Sequence, residues 1–282
     1  MSGSAREFIN RAWGVPTDST WFPGPQPVSI ERRHFPLLKK SDYLVCHKTD
    51  GVRYLLACYE EQGEKKTALV NRSYAVSYHK YTLPKDTLLD GELVTRRSDQ
   101  KSVFLVHDAV MIRGEDLRAE PLTVRLDKAR ALCKTILSKT PFVTQVKEMV
   151  PLKDIKALAE SPFDTDGLIF TPVHEPIMSG THETMFKWKP REHITIDFHV
   201  ADGTKLSIQE RGRLIQEAEL YRHDGTVFPD GTIVECGYGD LGWYAVKVRT
   251  DKTYPNNRRT FLRTIVNLRE DIRLEEFYAV TV

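Results

Sequence analysis

The chain has 282 residues, 40% hydrophobic and 28% charged, which suits one large or two modest globular domains with substantial cores. Lys and Arg number 41 against 39 Asp and Glu, a net charge of +2, so any nucleic acid or nucleotide must be held by a local cluster rather than by the overall field. The four cysteines form no C-x-x-C pair, which argues against a zinc site and for a reducing compartment, and no stretch reads as a signal core or a membrane span. A soluble intracellular protein is expected.

Residues 1–40 are rich in Pro, Arg and aromatic side chains and read as an irregular lead-in, with a short helix near Ala5–Ala12. Short β runs follow at 43–47, 53–59, 67–71, 87–95 and 103–112, with the charged stretch 60–66 as a hairpin tip. Apolar groups at helical spacing predict a helix over 122–138. A strand at 142–146, a helix at 151–160 and strands near 167–171 and 184–189 complete the first part. From 193 to 250 the pattern is short alternating strands broken by Asp-Gly pairs at 202–203, 224–225 and 230–231, which predicts a small antiparallel barrel. Residues 258–271 return to helical spacing, with Leu262, Ile265, Val266 and Leu268 as the apolar set.

The hexapeptide Lys48-Thr49-Asp50-Gly51-Val52-Arg53 lies between two of these strands. A lysine there sits on rigid backbone at the mouth of a turn, where Gly51 supplies a positive φ or lets a ligand approach closely. So placed, Lys48 can be a covalent nucleophile, provided nearby cations and burial help its ammonium to lose a proton. Five further stretches set charge inside or at the end of an apolar strand: Leu88-Leu89-Asp90-Gly91-Glu92-Leu93-Val94, Phe104-Leu105-Val106-His107-Asp108-Ala109, Thr165-Asp166-Gly167-Leu168-Ile169-Phe170, Phe186-Lys187-Trp188-Lys189-Pro190 and Val248-Arg249-Thr250-Asp251-Lys252. Each alone is more often a strand end. Together they gather the cations that an α-phosphate and its leaving group require. By contrast, Gly237-Tyr238-Gly239-Asp240-Leu241-Gly242 satisfies G-x-G-x-x-G but runs into a strand pattern, so the Rossmann reading fails on context.

This ordered set resembles the covalent nucleotidyltransferase superfamily of capping enzymes and ATP- or NAD-dependent ligases, and within it the mRNA guanylyltransferases, from about Tyr43 to Asn256. Thr165–Pro172, Gly180-Thr181, Lys187-Trp188-Lys189-Pro190 and Arg249-x-Asp251-Lys252-x-x-Pro255-Asn256 look like the capping subgroup. The resemblance implies an α/β (α+β) nucleotidyltransferase domain with antiparallel sheets over residues 1–193 and an OB-fold β-barrel lid over 194–256. The C-terminal helix, 257–282, is expected to pack back on the first domain.

The resemblance also assigns roles. Lys48 would attack the α-phosphate of GTP, and the resulting lysyl-GMP would pass its GMP to the 5′-diphosphate end of RNA, giving a GpppN cap. Arg53 and Glu92 would hold the ribose, and Arg72 the ribose or phosphate. His107 stands where relatives carry Phe or Tyr against the base, and Lys147 where a residue reads the guanine edge. Lys187 and Lys189 would bind the α-phosphate; Arg249, Asp251 and Lys252 would orient the pyrophosphate. Asp166, with Glu92, would hold Mg²⁺ or Mn²⁺, hard cations suited to carboxylate and phosphate oxygens.

RNA triphosphatase and cap methyltransferase activities would lie on other chains or domains, with RNA polymerase as a further expected partner and no membrane. The expected location is the nucleus for a cellular protein, and a cytoplasmic factory or virion for a viral one. A small ATP-dependent RNA or DNA ligase is the alternative within the same chemistry, and an RNA-end binding module without catalysis is the alternative outside it.

Overall fold

The apolar runs of the first half become strands, most of them longer than the runs that signal them. The computed structural model describes residues 3–80, 83–135, 142–221 and 225–280. Helix α1 (Gly3–Trp13), β1 (Gln26–Ser29), a 3-10 turn and α2 (Phe35–Lys40) occupy the lead-in, which is therefore more ordered than its composition suggests. Then come β2 (Tyr43–Thr49), β3 (Val52–Glu61), β4 (Glu64–Asn71), β5 (Val76–Tyr78), β6 (Thr87–Thr95), β7 (Ser102–Ile112) and β8 (Glu115–Asp116). They are followed by α3 (Leu122–Thr135), β9 (Val143–Val146), β10 (Val150–Pro151), β11 (Thr165–Pro172) and β12 (Thr181–Trp188). The last three residues of the expected helix, 136–138, lie outside the described residues.

Two sheets result, in the strand orders β1-β12-β11-β2-β10 and β5-β4-β3-β6-β7-β8, with β9 parallel to β7. The β3–β4 hairpin turns through Gln62 and Gly63 at φ 52° and 79°, the two-residue turn whose twist matches that of its strands. Strand β3 is buried on both faces. Leu56 and Cys58 meet α3 through Ala129 and Leu132, while Leu55, Ala57 and Tyr59 meet α1 through Ala5, Ile9 and Trp13. Alternation with period two, buried on both sides, produces the continuous apolar run seen in the sequence.

The helix expected at 151–160 is instead a short 3-10 segment, Leu152–Ala157, interrupted at Asp154. Its buried residues, Leu152 and Ile155, are three apart, the spacing that places side chains on one face of a 3-10 helix.

The chain divides into two compact units, one comprising the N-terminal residues to Val28 with Leu37–Lys187, the other Ser29–Pro36 with Trp188–Ala279. The second unit holds β13 (Thr195–Ala201), β14 (Lys205–Glu210), β15 (Arg213–Glu219), β16 (Ile233–Gly239) and β17 (Gly242–Val248), then α4 (Arg258–Glu270) and α5 (Leu274–Ala279). The expected barrel is, among the described residues, an open antiparallel sheet in the order β15-β14-β13-β16-β17. Its two edges meet at a bridge between Leu220, just after β15, and Trp243 on β17. Asp202 and Gly203, both at positive φ, make the β13–β14 turn; of the expected pair at 224–225, Asp224 lies outside the described residues.

The C-terminal helix also departs from expectation. Helix α4, capped by the Asn257 side chain on the Thr260 N–H, buries Phe261 and Leu268 among Ile196, Phe198 and Val234 of the second unit. Phe261, Ile265 and Leu268 follow the i, i+4, i+7 stripe that faces a core, whereas Leu262 is exposed.

Candidate active site

Lys48 lies one residue before the end of β2, and the pairing of β2 with β11 is irregular at that point. Thr165 pairs with Thr49 and Leu168 with His47, so Asp166 and Gly167 together oppose Lys48 in a β-bulge. A bulge re-aims the side chains it carries. Here it brings the Asp166 carboxylate to 2.6 Å from Lys48 Nζ, in an ion pair left about a quarter exposed on either side. Gly167 sits at φ 151°, within the range that side chains rarely adopt. Gly51 serves differently from expectation. Its φ is not positive, and the close approach is to β6: a Cβ there would lie 2.5 Å from the Leu93 carbonyl oxygen and 2.9 Å from Glu92 Cγ.

Beside this pair, β3 and β6 align Arg53 with Glu92 across the ladder. The two side chains nevertheless take different partners. Arg53 forks onto Asp90, the diagonal neighbour, with Nε and Nη2 donating to its two oxygens at 2.9 and 2.6 Å. Glu92 accepts from the Thr49 hydroxyl, which in turn accepts from Lys147 Nζ at 2.8 Å; Lys147 Nζ also lies 3.6 Å from the Glu92 carboxylate. Lys147 is buried, so its ammonium depends on these oxygens in place of water.

His107 is the extra residue of a second bulge, since Asp108 pairs with Asp90 and Val106 with Gly91. Its Nε2 lies 3.4 Å from Asp90. Burial lowers the His107 pKa, and Arg53 and Lys147 add to the effect against the pull of Asp90, so the ring is neutral near pH 7. Burial alone would raise Asp90; the charge and hydrogen bonds of Arg53, with the charge of Arg72, outweigh it and hold the carboxyl below its ordinary range. The influence of Arg72 places that residue, in the turn after β4, within electrostatic reach of the same cluster. Asp108 turns away from the cluster: Arg125 of α3 donates to both its oxygens at 2.7 and 3.0 Å, in a pair that is almost wholly buried.

Lys187 stands near the end of β12, two strands from β2 in the same sheet, and Lys189 follows across the boundary into the second unit. Within that unit, Arg249 forks onto Asp251 at 2.9 and 2.8 Å and reaches Asp197 with Nη1 at 2.9 Å, while Lys252 pairs with the other oxygen of Asp197. The Arg249 guanidinium draws Asp251 down to about 2. Asn256 locks the segment to β13 by a reciprocal pair: its side-chain oxygen accepts from the Asp197 N–H at 2.9 Å, and its own N–H donates to the Asp197 carbonyl at 2.8 Å.

Sequence reasoning left Asp90 undecided and missed Thr49 and Asp197. For the two carboxylates a signal was present. An acid inside Leu-Leu-Asp-Gly or Ile-Asp-Phe is buried by its apolar neighbours and needs a cation. Among the described residues, no three His, Cys, Asp or Glu side chains gather into a metal-ligating group. Glu92 and Asp166 offer hard oxygens of the kind a small divalent cation uses when phosphates complete its shell.

A family model described as mRNA capping enzyme, catalytic domain, matches residues 4–191, two-thirds of the chain. The chain belongs to that family. The matched span contains every first-unit residue described above, from Lys48 to Lys187, and also Lys189; Arg249, Asp251 and Lys252 fall beyond it. The chain is similar to an mRNA-capping enzyme of Danio rerio, 25% identical over 92% of this chain and 49% of that protein. It is similar also to the mRNA-capping enzyme subunit alpha of Neurospora crassa (27% identical; 97% of this chain, 87% of that one) and of Schizosaccharomyces pombe (33%; 64% and 54%). It therefore spans about half the length of two of these capping enzymes and most of the third.

Proposed function

We propose that this chain is an mRNA guanylyltransferase, which takes GMP from GTP through a lysyl-GMP intermediate at Lys48 and passes it to the 5′-diphosphate end of RNA. The observation that carries this reading is Lys48 itself: partly exposed at the end of a strand, within 2.6 Å of Asp166, inside the span matched by the capping family. In the first step Nζ loses a proton and bonds to the α-phosphorus, the bond from that phosphorus to the bridging oxygen breaks, and pyrophosphate leaves. In the second, the terminal phosphate oxygen of the RNA displaces the lysine.

The surrounding groups suit these steps. Arg53 and Glu92 serve the ribose, Arg72 the ribose or phosphate, and the neutral His107 ring stacks on the base. Lys147, donor-only and buried, matches the O6 and N7 acceptors of guanine and would meet the N6 donor of adenine unfavourably, which favours GTP over ATP. Lys187 and Lys189 neutralise the α-phosphate. Asp166 and Glu92 would hold Mg²⁺ or Mn²⁺, which when bound supplies positive charge at the phosphates. The second unit, in this reading, is an OB-type lid whose Arg249, Asp251 and Lys252 orient pyrophosphate.

The test is incubation with Mg²⁺ and either GTP or ATP radiolabelled on the α-phosphate, followed by a denaturing gel. Label from GTP alone supports the reading. Label from ATP supports the ligase alternative, and no label supports a binding module. A second expectation concerns Lys252. Its charge is needed while pyrophosphate is present, so Lys252→Ala should slow adduct formation about a hundredfold, the scale for losing one transition-state contact. Transfer of GMP from a preformed adduct to diphosphate-ended RNA should suffer much less. Single-turnover kinetics of each step measure the difference; equal losses in both would assign Lys252 to the fold or the RNA.

A further inference from the structure

The lead-in segment Trp21–Pro25 has neither helix nor strand, yet Pro23, Gly24 and Pro25 are buried. Arg53 packs against this segment at three residues. The Pro25 carbonyl accepts from Arg53 Nη1 at 2.6 Å, and the guanidinium carbon stands 5.2 Å from the centre of the Phe22 ring, within cation–π range. Gly24 lies so close that a Cβ would sit 2.6 Å from Arg53 Nη2 and 2.5 Å from Phe22 Cε1. On the other side Asp90, fully buried, takes Nε and Nη2. A guanidinium has five N–H donors; Asp90 and Pro25 take three, leaving one on each Nη.

We propose that Phe22-Pro23-Gly24-Pro25 is a positioning element of the nucleotide site, clamping the Arg53 guanidinium against Asp90 so that its two remaining N–H groups serve the ribose hydroxyls. The inference rests on the guanylyltransferase reading above and extends it to a segment that touches no reacting atom. A free arginine samples many rotamers and loses that freedom on binding; a guanidinium held on three sides has already lost it. The two prolines stiffen the strap by fixing φ. Glycine is required at position 24 by contact rather than by backbone angle, and Arg53 cannot swing aside without breaking its fork on Asp90.

The test compares adduct formation with GTP and with 2′,3′-dideoxy-GTP, whose ribose offers no hydroxyl to Arg53. Wild type is expected to lose about tenfold in kcat/KM on the change of substrate, the scale of one hydrogen bond to a charged group. Gly24→Ala is expected to lose about tenfold with GTP, mostly through KM, and less than about twofold with the dideoxy substrate, because the interaction it disturbs is already missing there. Phe22→Leu, which keeps bulk without the ring face, should follow the same pattern more weakly, and Phe22→Tyr should behave as wild type. Unchanged activity of Gly24→Ala and Phe22→Leu with GTP overturns the proposal. So does an equal loss with both nucleotides, which would mark the strap as merely structural. If Gly24→Ala does not fold, the Phe22 pair decides by the same comparison. A wild-type chain that takes no label from GTP overturns the guanylyltransferase reading and this inference with it, whereas a labelled wild type with indifferent variants removes the inference alone.

Discussion

Lys48→Ala is expected to leave no labelled band after incubation with α-labelled GTP, and Lys48→Arg is expected to fail as completely. The arginine variant is the more informative. Its guanidinium can keep an ion pair with Asp166, so the β2–β11 bulge retains its charge balance and the fold has no reason to loosen. Yet guanidinium does not deprotonate in proteins and so cannot form a bond to phosphorus. Loss of label together with an unchanged thermal unfolding curve would assign the defect to chemistry. In wild type the bond should be acid-labile and alkali-stable, as a phosphoramidate is. Persisting label in either variant, or an adduct mapped in wild type to Lys147 or Lys187, would remove Lys48 from the mechanism.

The largest stability effect is expected at Arg125. Its guanidinium, carried by α3, is buried, with two donors on Asp108 and Nη1 on the Glu120 and Glu175 carbonyls. Arg125→Met leaves the Asp108 carboxylate buried without its cation, a change that costs about 3–5 kcal/mol. At about 2–4 °C per kcal/mol for a unit of this size, the melting temperature should fall by roughly 10 °C. Asp108→Leu combined with Arg125→Met removes both charges and should recover much of that loss, since replacing a buried pair with apolar groups is often close to neutral. The first unit's transition, followed by denaturant or calorimetry, measures both. A loss below about 1 kcal/mol in the single variant would mean that water reaches Asp108. Asp108 directly follows His107, so the double variant also shows whether the pair is needed to hold the His107 bulge for nucleotide.

Much of this protein is written in local pattern. The β3–β4 hairpin follows from two apolar runs and a Gln-Gly turn, because strand alternation and positive φ are properties of a few neighbouring residues. Lys48, Glu92, Asp166, Lys187 and the pair Arg249 and Lys252 could be picked out for the same reason: each is a charge set inside or beside an apolar run. The order of the first four along the chain carries the capping-family resemblance, and all four lie within the span that the family model matches. The stretch 151–160 reads as an α-helix but forms a 3-10 segment, because three-residue and four-residue spacing differ little over two buried positions.

What the chain order could not decide is which charge meets which. Lys48 and Asp166 are 118 residues apart, and the bulge that joins them depends on the register of β2 against β11. Arg53 lies across the ladder from Glu92 but takes Asp90, because Asp90 is fully buried and needs the cation, while Thr49 and Lys147 occupy Glu92. Helix α4 carries an apolar stripe whose partners, Phe198 and Val234 of the second unit's sheet, the stripe itself does not name. The lead-in read as irregular because Phe22-Pro23-Gly24-Pro25 has no periodicity. Its contacts are with a guanidinium whose position is set by strands that follow it in the chain. Sequence determined most of the strands and marked the candidate charges, since both signals depend on neighbours in the chain. Partner choice waited for the fold, since a buried charge pairs with whatever the sheets bring within hydrogen-bonding distance.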